Sequence, residues 1–143
     1  MDFAQVFSVV SSAAMLGWLV LILAPRRPFV IQALRLGLVG ALSLTYAVLI
    51  FVYFFRVDGG GFGSIAEVRT LFLNDGVLVA GWIHYLAFDL FVGCWIASEA
   101  DRLGWNRVVQ APVLVVTFMF GPIGLLLFFI MRASQSALAT AKA

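Results

Sequence analysis

The sequence from Gly81 to Gly93 reads GWIHYLAFDLFVG, an apolar run with one acidic residue, Asp89, near its middle. The run has the composition of a membrane-spanning helix. A carboxylate at the centre of a bilayer costs roughly 2.5–3.5 kcal/mol on insertion scales, so a sequence that keeps one typically uses it. Asp89 is therefore the first candidate for a functional residue.

The composition predicts a membrane protein. Apolar residues make up 64% of the 143 residues and charged residues 11%, which leaves too little polar surface for a soluble protein. Four apolar stretches reach the length of about 20 residues that a helix needs to cross the hydrocarbon. They run from Phe3 to Leu23, Ala33 to Phe55, Val77 to Ser98 and Gln110 to Met131. We predict an all-α fold: a bundle of four transmembrane helices over residues 1–132, followed by a disordered polar tail over residues 133–143.

The connection between the second and third spans carries a helix signal of its own. Ser64-Ile65-Ala66-Glu67 fits a capping box, in which the side chains of Ser64 and Glu67 satisfy free amides at a helix start. The pattern predicts a short helix from Ile65 to Leu73. We expect this helix to lie in the membrane interface, over the bundle.

The first apolar run is expected to be a retained span, because no positive charge precedes it and no small-residue cleavage site follows it. With no transit-peptide pattern, the expected location is a bacterial inner membrane, crossed several times. Positive-inside counting slightly favours both termini outside. Arginines flank the spans instead of forming one surface, which argues against nucleic acid as a partner. A single cysteine and a single histidine indicate no metal site and no cofactor.

Helical periodicity separates two polar residues of the third span. Trp82, Tyr85, Asp89 and Gly93 fall on one stripe, whereas His84 points about 140° away from Asp89. Asp89 and His84 are therefore expected to face two different seams of the bundle or to flank one wide cavity. Tyr85 is the nearest partner of Asp89 on its own helix. Asp89 has the alternative role of an interhelical hydrogen-bond clamp, and His84 that of a structural donor.

Polar residues of the other spans lie at a similar depth. The residues that align with Asp89 are Ser11 and Ser12 in the first span, Thr45 and Tyr46 in the second, and Thr117 with Gly121 and Pro122 in the fourth. Buried polar groups in hydrocarbon need partners, so we predict one shared polar site. Pro122 lacks an amide proton and is expected to kink the fourth span, which leaves a backbone acceptor free inside the bundle. Trp82 and Trp95 are candidates for a substrate-lining aromatic set, with interfacial anchoring as the alternative.

Three stretches resemble a known family. Residues 59–72, residues 81–93 and residues 117–126, which read TFMFGPIGLL, are similar to the abscisic-acid-deficient-four-like family, and the resemblance covers nearly the whole chain. Plant members of that family are needed to make neoxanthin, a carotenoid. The resemblance implies an integral membrane protein that acts on a carotenoid or a related isoprenoid.

The plant reaction opens an epoxide and forms an allene without net redox change, so it needs an acid for the epoxide oxygen and a base for a polyene proton. For this chemistry, an isomerase-type rearrangement without a cofactor, we assign Asp89 as the acid and His84 as the base, with Tyr85 as a third catalytic residue. The residues assigned to substrate binding are Tyr46, Trp82, Trp95, Thr117 and Pro122. Two other functions stay open: a non-catalytic carrier of the pigment, and a small proton-coupled transporter. Expected partners are membrane lipid, a hydrophobic isoprenoid and a second copy of the chain.

Overall fold

The computed structural model describes residues 1–140, and for residues 136 and 138–140 it describes the backbone alone. Within these residues the chain is all-helical, as predicted. The helices are α1 (Phe3–Leu23), α2 (Pro28–Arg56), α3 (Ile65–Phe72), α4 (Asp75–Arg102), α5 (Arg107–Phe120) and α6 (Pro122–Thr140). Helices α1, α2 and α4 are long and apolar enough to cross a membrane, which agrees with the first three predicted spans.

Helices α4 and α5 each begin at an asparagine cap. The Oδ1 atom of Asn74 accepts hydrogen bonds from the amides of Gly76 and Val77, at 3.0 Å and 3.2 Å, at the start of α4. Asn106 accepts one from the amide of Val109 at 2.9 Å, at the start of α5. A helix end in an apolar environment needs such partners, because its first amides have none within the helix.

Helix α3 begins at the predicted capping box. The Ser64 hydroxyl accepts a hydrogen bond from the amide of Glu67 at 3.2 Å, and the Glu67 carboxylate accepts one from the amide of Gly63 at 3.0 Å. The carboxylate thus reaches one residue further back than in the usual capping box. Leu71 is 1% exposed and anchors α3 on the bundle, whereas Ile65 is 79% exposed. The position of α3 in a membrane interface stays a prediction.

Helix α4 is the centre of the bundle. Helices α1, α2, α3 and α5 pack on it, and its side chains Ile83 and Leu90 are fully buried. Trp18 of α1 lies so close to Gly93 that a Cβ there would collide with the indole ring. Helix α2 is the opposite case, because few of its side chains are buried. A side chain on α4 can therefore contact residues from several other helices at once.

The predicted fourth span, Gln110 to Met131, is not one helix. Helix α5 ends at Phe120, and Gly121 follows with φ of 30° and ψ of −88°. Glycine adopts positive φ without the steric cost that a Cβ brings. We predicted a kink at Pro122, but a proline on its own only bends a helix. The glycine conformation before the proline turns the bend into a reversal.

The contacts of α6 show that it returns to the end at which α5 begins. In one continuous helix, Arg107 and Arg132 would lie about 38 Å apart. Instead, a guanidinium nitrogen of Arg132 lies 3.6 Å from a carboxylate oxygen of Glu99, near the end of α4. The indole Nε1 of Trp105, just before α5, donates a hydrogen bond to Gln135 at 2.6 Å. Helices α5 and α6 therefore form a helical hairpin with its tip at Gly121.

The hairpin corrects the four-span prediction. Helix α5 has 14 residues, about 21 Å, and the apolar part of α6 is similarly short, whereas the hydrocarbon core is roughly 30 Å thick. The described residues thus form three helices long enough to cross and one shorter hairpin. Helix α6 also runs to Thr140, through much of the tail that we predicted to be disordered from residue 133, because its alanine-rich sequence favours helix. Residues 141–143 lie outside the described residues.

The hairpin also gives the two ends of the bundle unequal charge. We call them the Arg102 end, where α4 finishes, and the Asp75 end, where α4 starts. The arginines Arg26, Arg27, Arg102, Arg107 and Arg132 lie at the Arg102 end, and Arg56 and Arg69 at the Asp75 end. The N-terminus is at the Asp75 end and the close of α6 at the Arg102 end. This corrects the orientation with both termini on one side.

Candidate functional site

The predicted stripe of α4 lines a single cavity. Trp82, Tyr85 and Asp89 all face a space of about 260 Å³ between α1, α4 and α5. We call this space the Asp89 cavity. Its other walls are Ser11, Met15, Trp18, Leu86, Phe118 and Met119. Asp89 lies about 21 Å along α4 from Asp75, so it sits near mid-depth of the bundle.

The carboxyl group of Asp89 lies against the tip of the hairpin. A Cβ placed on Gly121 would come within 2.5 Å of Asp89 Oδ1 and 2.8 Å of Oδ2, so the space depends on the absence of a side chain at Gly121. Oδ2 is buried and has no hydrogen-bond partner among residues 1–140. Burying a polar atom without a partner costs roughly 2–7 kcal/mol. Asp89 thus brings a carboxyl group to the wall of the cavity, with one oxygen whose hydrogen-bonding capacity is unused.

The phenol of Tyr85 links Asp89 to the backbone of the hairpin. Its hydroxyl interacts with the Asp89 side chain and donates towards the carbonyl oxygens of Phe118 and Met119, at 3.4 Å and 3.5 Å. The Phe118 carbonyl has no helical donor, because residue 122, where the donor would stand, is proline. The predicted free backbone acceptor is thus present, and Tyr85 faces it.

Ser11 of α1, which the sequence placed at the depth of Asp89, also lines the Asp89 cavity. Its hydroxyl accepts a hydrogen bond from the indole Nε1 of Trp82 at 2.9 Å. Trp82 also lines a second space of about 580 Å³, the Phe7 cavity, which extends to Asp75 and is walled by Phe3, Phe7, Phe72 and Leu78. The two cavities are therefore neighbours that share Trp82 as a wall.

His84 opens on the other side of α4. It lines a space of about 280 Å³ between α2, α3 and α4, the His84 pocket, together with Tyr46, Phe54, Phe62, Leu71 and Phe72. The imidazole ring stacks on Phe88 at 4.5 Å and lies 5.5 Å from the ring of Tyr46. From the helical angle we expected Asp89 and His84 to face two seams or to flank one wide cavity, and in the structure they line two different spaces. The single shared polar site is split in two.

The other predicted substrate-binding residues line neither the Asp89 cavity, nor the Phe7 cavity, nor the His84 pocket. Trp95 packs edge-on against Phe128 of α6. Thr117 is fully buried inside the hairpin, where its hydroxyl donates to a carbonyl of its own helix at 2.8 Å. Pro122 is exposed just after the hairpin tip. In the described part of the chain, Trp82 and Tyr46 are the predicted binding residues that line a cavity.

A model of a known protein family, described as ABA DEFICIENT 4-like, matches residues 5–128. The chain belongs to the ABA DEFICIENT 4-like family. This confirms the resemblance found in the sequence. No curated protein and no solved structure matches the chain. The region shared with the ABA DEFICIENT 4-like family contains most of α1, all of α4 and the hairpin tip, so it holds every residue that lines the Asp89 cavity.

Proposed function

We propose that this ABA DEFICIENT 4-like protein binds a carotenoid or a related isoprenoid along α1 and α4, and rearranges it by acid–base chemistry at Asp89. One observation carries the proposal: a carboxyl oxygen without a partner, buried at mid-depth, beside a cavity whose other walls are mostly apolar. A carboxyl group in such a place is expected to serve a substrate, since hydrocarbon offers it nothing.

The two cavities that share Trp82 as a wall suit a long apolar molecule. The Phe7 cavity begins beside Asp75 and the Asp89 cavity ends near the hairpin tip, so together they span about 21 Å along α4. An isoprenoid can place one oxygen-bearing end group at Asp89 and extend its chain towards the Asp75 end. The aromatic rings of Phe7 and Trp82, 5.4 Å apart, would contact the chain where the cavities adjoin.

The chemistry needs only one carboxyl group if that group acts twice. The Asp89 carboxylic acid protonates an epoxide oxygen, and the C–O bond opens to a hydroxyl group and a carbocation on the polyene. The resulting carboxylate then removes a polyene proton, which forms the allene and restores the acid. Electrons balance without a redox partner. Asp89 thus replaces His84 as the base, because His84 opens on a different pocket, and Tyr85 holds the carboxyl group in place.

A second candidate function is proton-coupled transport. It is favoured by the reversed backbone at Gly121, close to a carboxylate at mid-depth. Non-helical backbone at this depth is tolerated where protein covers it or where it lines a water-filled cavity. Carboxylates inside a membrane also mark proton pathways. The third candidate, a pigment carrier, uses the same cavities without a chemical step. For all three, the proposed location is a bacterial inner membrane.

The proposal is tested by expressing the chain in a host that makes epoxycarotenoids. We expect wild type to change the pigment composition and Asp89→Asn to lower the conversion by at least 10²-fold, the usual effect of losing a general acid–base group. His84→Gln, on the same helix, is the matched control and should keep most of the conversion. Pigments are separated by chromatography and identified by mass spectrometry.

The possible results separate the hypotheses. Identical pigment profiles with and without wild-type protein would remove the enzyme proposal for the carotenoids tested. Pigment that copurifies unchanged would then favour the carrier. Equal loss in Asp89→Asn and His84→Gln, with both variants folded by circular dichroism, would restore the original acid–base pair and contradict the single-carboxyl mechanism.

A further inference from the structure

The His84 pocket holds two polar side chains that the proposed reaction does not use. Among residues 1–140, His84 and Tyr46 contact their neighbours through their rings and have no hydrogen-bond partner. They come from different helices, yet they lie about 13 Å and 15 Å from the Asp75 end along α4 and α2. Both residues therefore lie at a similar depth on the wall of one pocket, where the His84 side chain is exposed and that of Tyr46 is half-buried.

We propose that the His84 pocket is a second ligand site, which takes a flat apolar ring carrying a hydroxyl group. In hydrocarbon, two unpaired polar groups are costly, and a hydroxyl group can both donate and accept a hydrogen bond. A single ligand oxygen between His84 and Tyr46 would satisfy both. This site is independent of the chemistry at Asp89, which opens on the other face of α4.

The size and walls of the pocket fit a ring. Its volume of about 280 Å³ holds roughly nine water-sized groups, enough for one ring system with a substituent. Phe54 and Phe62 are stacked at 5.3 Å with 27° between their planes, and both line the pocket together with Phe72. Aromatic walls favour a flat apolar ligand. Helix α3 covers the pocket through Leu71, so a ring would be held between α3 and α4.

The test uses 2-naphthol and naphthalene, which share one flat ring system and differ in a hydroxyl group. Binding to the full chain in phosphatidylethanolamine–phosphatidylglycerol nanodiscs is measured by fluorescence titration, against protein-free nanodiscs. We expect wild type to bind 2-naphthol about fivefold more tightly than naphthalene, the effect of one net hydrogen bond. Tyr46→Phe and His84→Phe should each remove most of this preference and leave naphthalene binding unchanged.

Two matched controls locate the hydroxyl group. Tyr53→Phe changes a tyrosine whose ring packs on Phe3 and should keep the preference, as should Asp89→Asn. Equal binding of the two probes to wild type would overturn the proposal. So would a preference that survives both Tyr46→Phe and His84→Phe, or one that is lost only in Asp89→Asn, which would place the hydroxyl group in the Asp89 cavity.

Discussion

The two faces of α4 hold their polar groups in different ways. On the face towards α1 and α5, Asp89 and Tyr85 touch the reversed backbone of the hairpin. On the face towards α2 and α3, His84 and Tyr46 have ring contacts alone. We call the first face, which packs on hairpin backbone at mid-depth, the closed face; on the second face His84 is exposed among apolar side chains. Polar residues that are close in sequence can thus belong to separate sites.

The largest expected effect concerns the hairpin, because the closed face of α4 packs on hairpin backbone and the other face does not. If α6 returns, a cysteine at Ser134 is labelled from the same side of the membrane as one at Arg27, and from the side opposite to one at Ser64. The concentration of arginines at the Arg102 end predicts that the side shared by Ser134 and Arg27 is the cytoplasm. The measurement is labelling with a membrane-impermeant maleimide in intact and opened cells, in a Cys94→Ala background.

The outcome of the labelling experiment is all or none. A fourth crossing would move the cysteine at position 134 to the side of Ser64, and both the hairpin and the backbone wall of the Asp89 cavity would then be wrong. Cys94 is fully buried, so its replacement is expected to leave the labelling pattern unchanged.

A methyl group at Gly121 should damage the closed face. Gly121→Ala would bring a Cβ within 2.5 Å of Asp89 Oδ1 at positive φ. A backbone at φ of 30° and ψ of −88° costs an L residue on the order of 1–3 kcal/mol, and the collision adds to it, so we expect a loss of about 2–4 kcal/mol in the free energy of unfolding. The measurement is denaturation in mixed micelles. Gly40→Ala, where a Cβ meets open space, is the control and should stabilise by about 0.5–1 kcal/mol.

An unchanged unfolding free energy for Gly121→Ala would contradict the close approach of Asp89 to the hairpin tip. A loss in both glycine variants would show a general sensitivity of the bundle to added volume.

The sequence predicted the stripe of Trp82, Tyr85 and Asp89 on α4, but not the hairpin tip that faces this stripe. Periodicity along one helix is local, so Trp82, Tyr85 and Asp89 could be placed on one side and His84 on the other without knowing the neighbours. The reversal at Gly121 depends on one backbone conformation, and a Gly-Pro pair inside an apolar run fits a kinked span equally well. The sequence analysis compared depths as if all four spans were straight helices that cross the whole membrane. It therefore put Thr117 and Tyr46 in the same site as Asp89.

A smaller effect should separate the two tyrosines. Tyr85→Phe removes a hydroxyl that donates towards the hairpin carbonyls, and an interhelical hydrogen bond in a membrane protein contributes about 0.6 kcal/mol on average. Tyr46→Phe removes a hydroxyl without a partner, so the unfolding free energy should stay the same or rise slightly. Both variants are unfolded in the same micelles. Equal losses would show that Tyr46 has a bonded partner and would remove the contrast between the faces.

The smallest effect tests how far the closed face extends towards the Asp75 end. The hydrogen bond from Trp82 to Ser11 joins α4 to α1 where the Asp89 and Phe7 cavities adjoin. A double-mutant cycle with Ser11→Ala and Trp82→Phe should give a coupling of about 0.6 kcal/mol in the free energy of unfolding.

The control for this cycle is Ser12→Ala, since Ser12 is the next residue on α1 and is exposed; its coupling to Trp82→Phe should be zero. Similar coupling for both serines would mean that the cycle reports a shift of α1 rather than the hydrogen bond. Coupling for Ser11 alone would show that the indole is fixed by one bond. Trp82 would then be a fixed wall between the Phe7 cavity and the Asp89 cavity, and Ser11→Ala should free its indole without touching the carboxyl group.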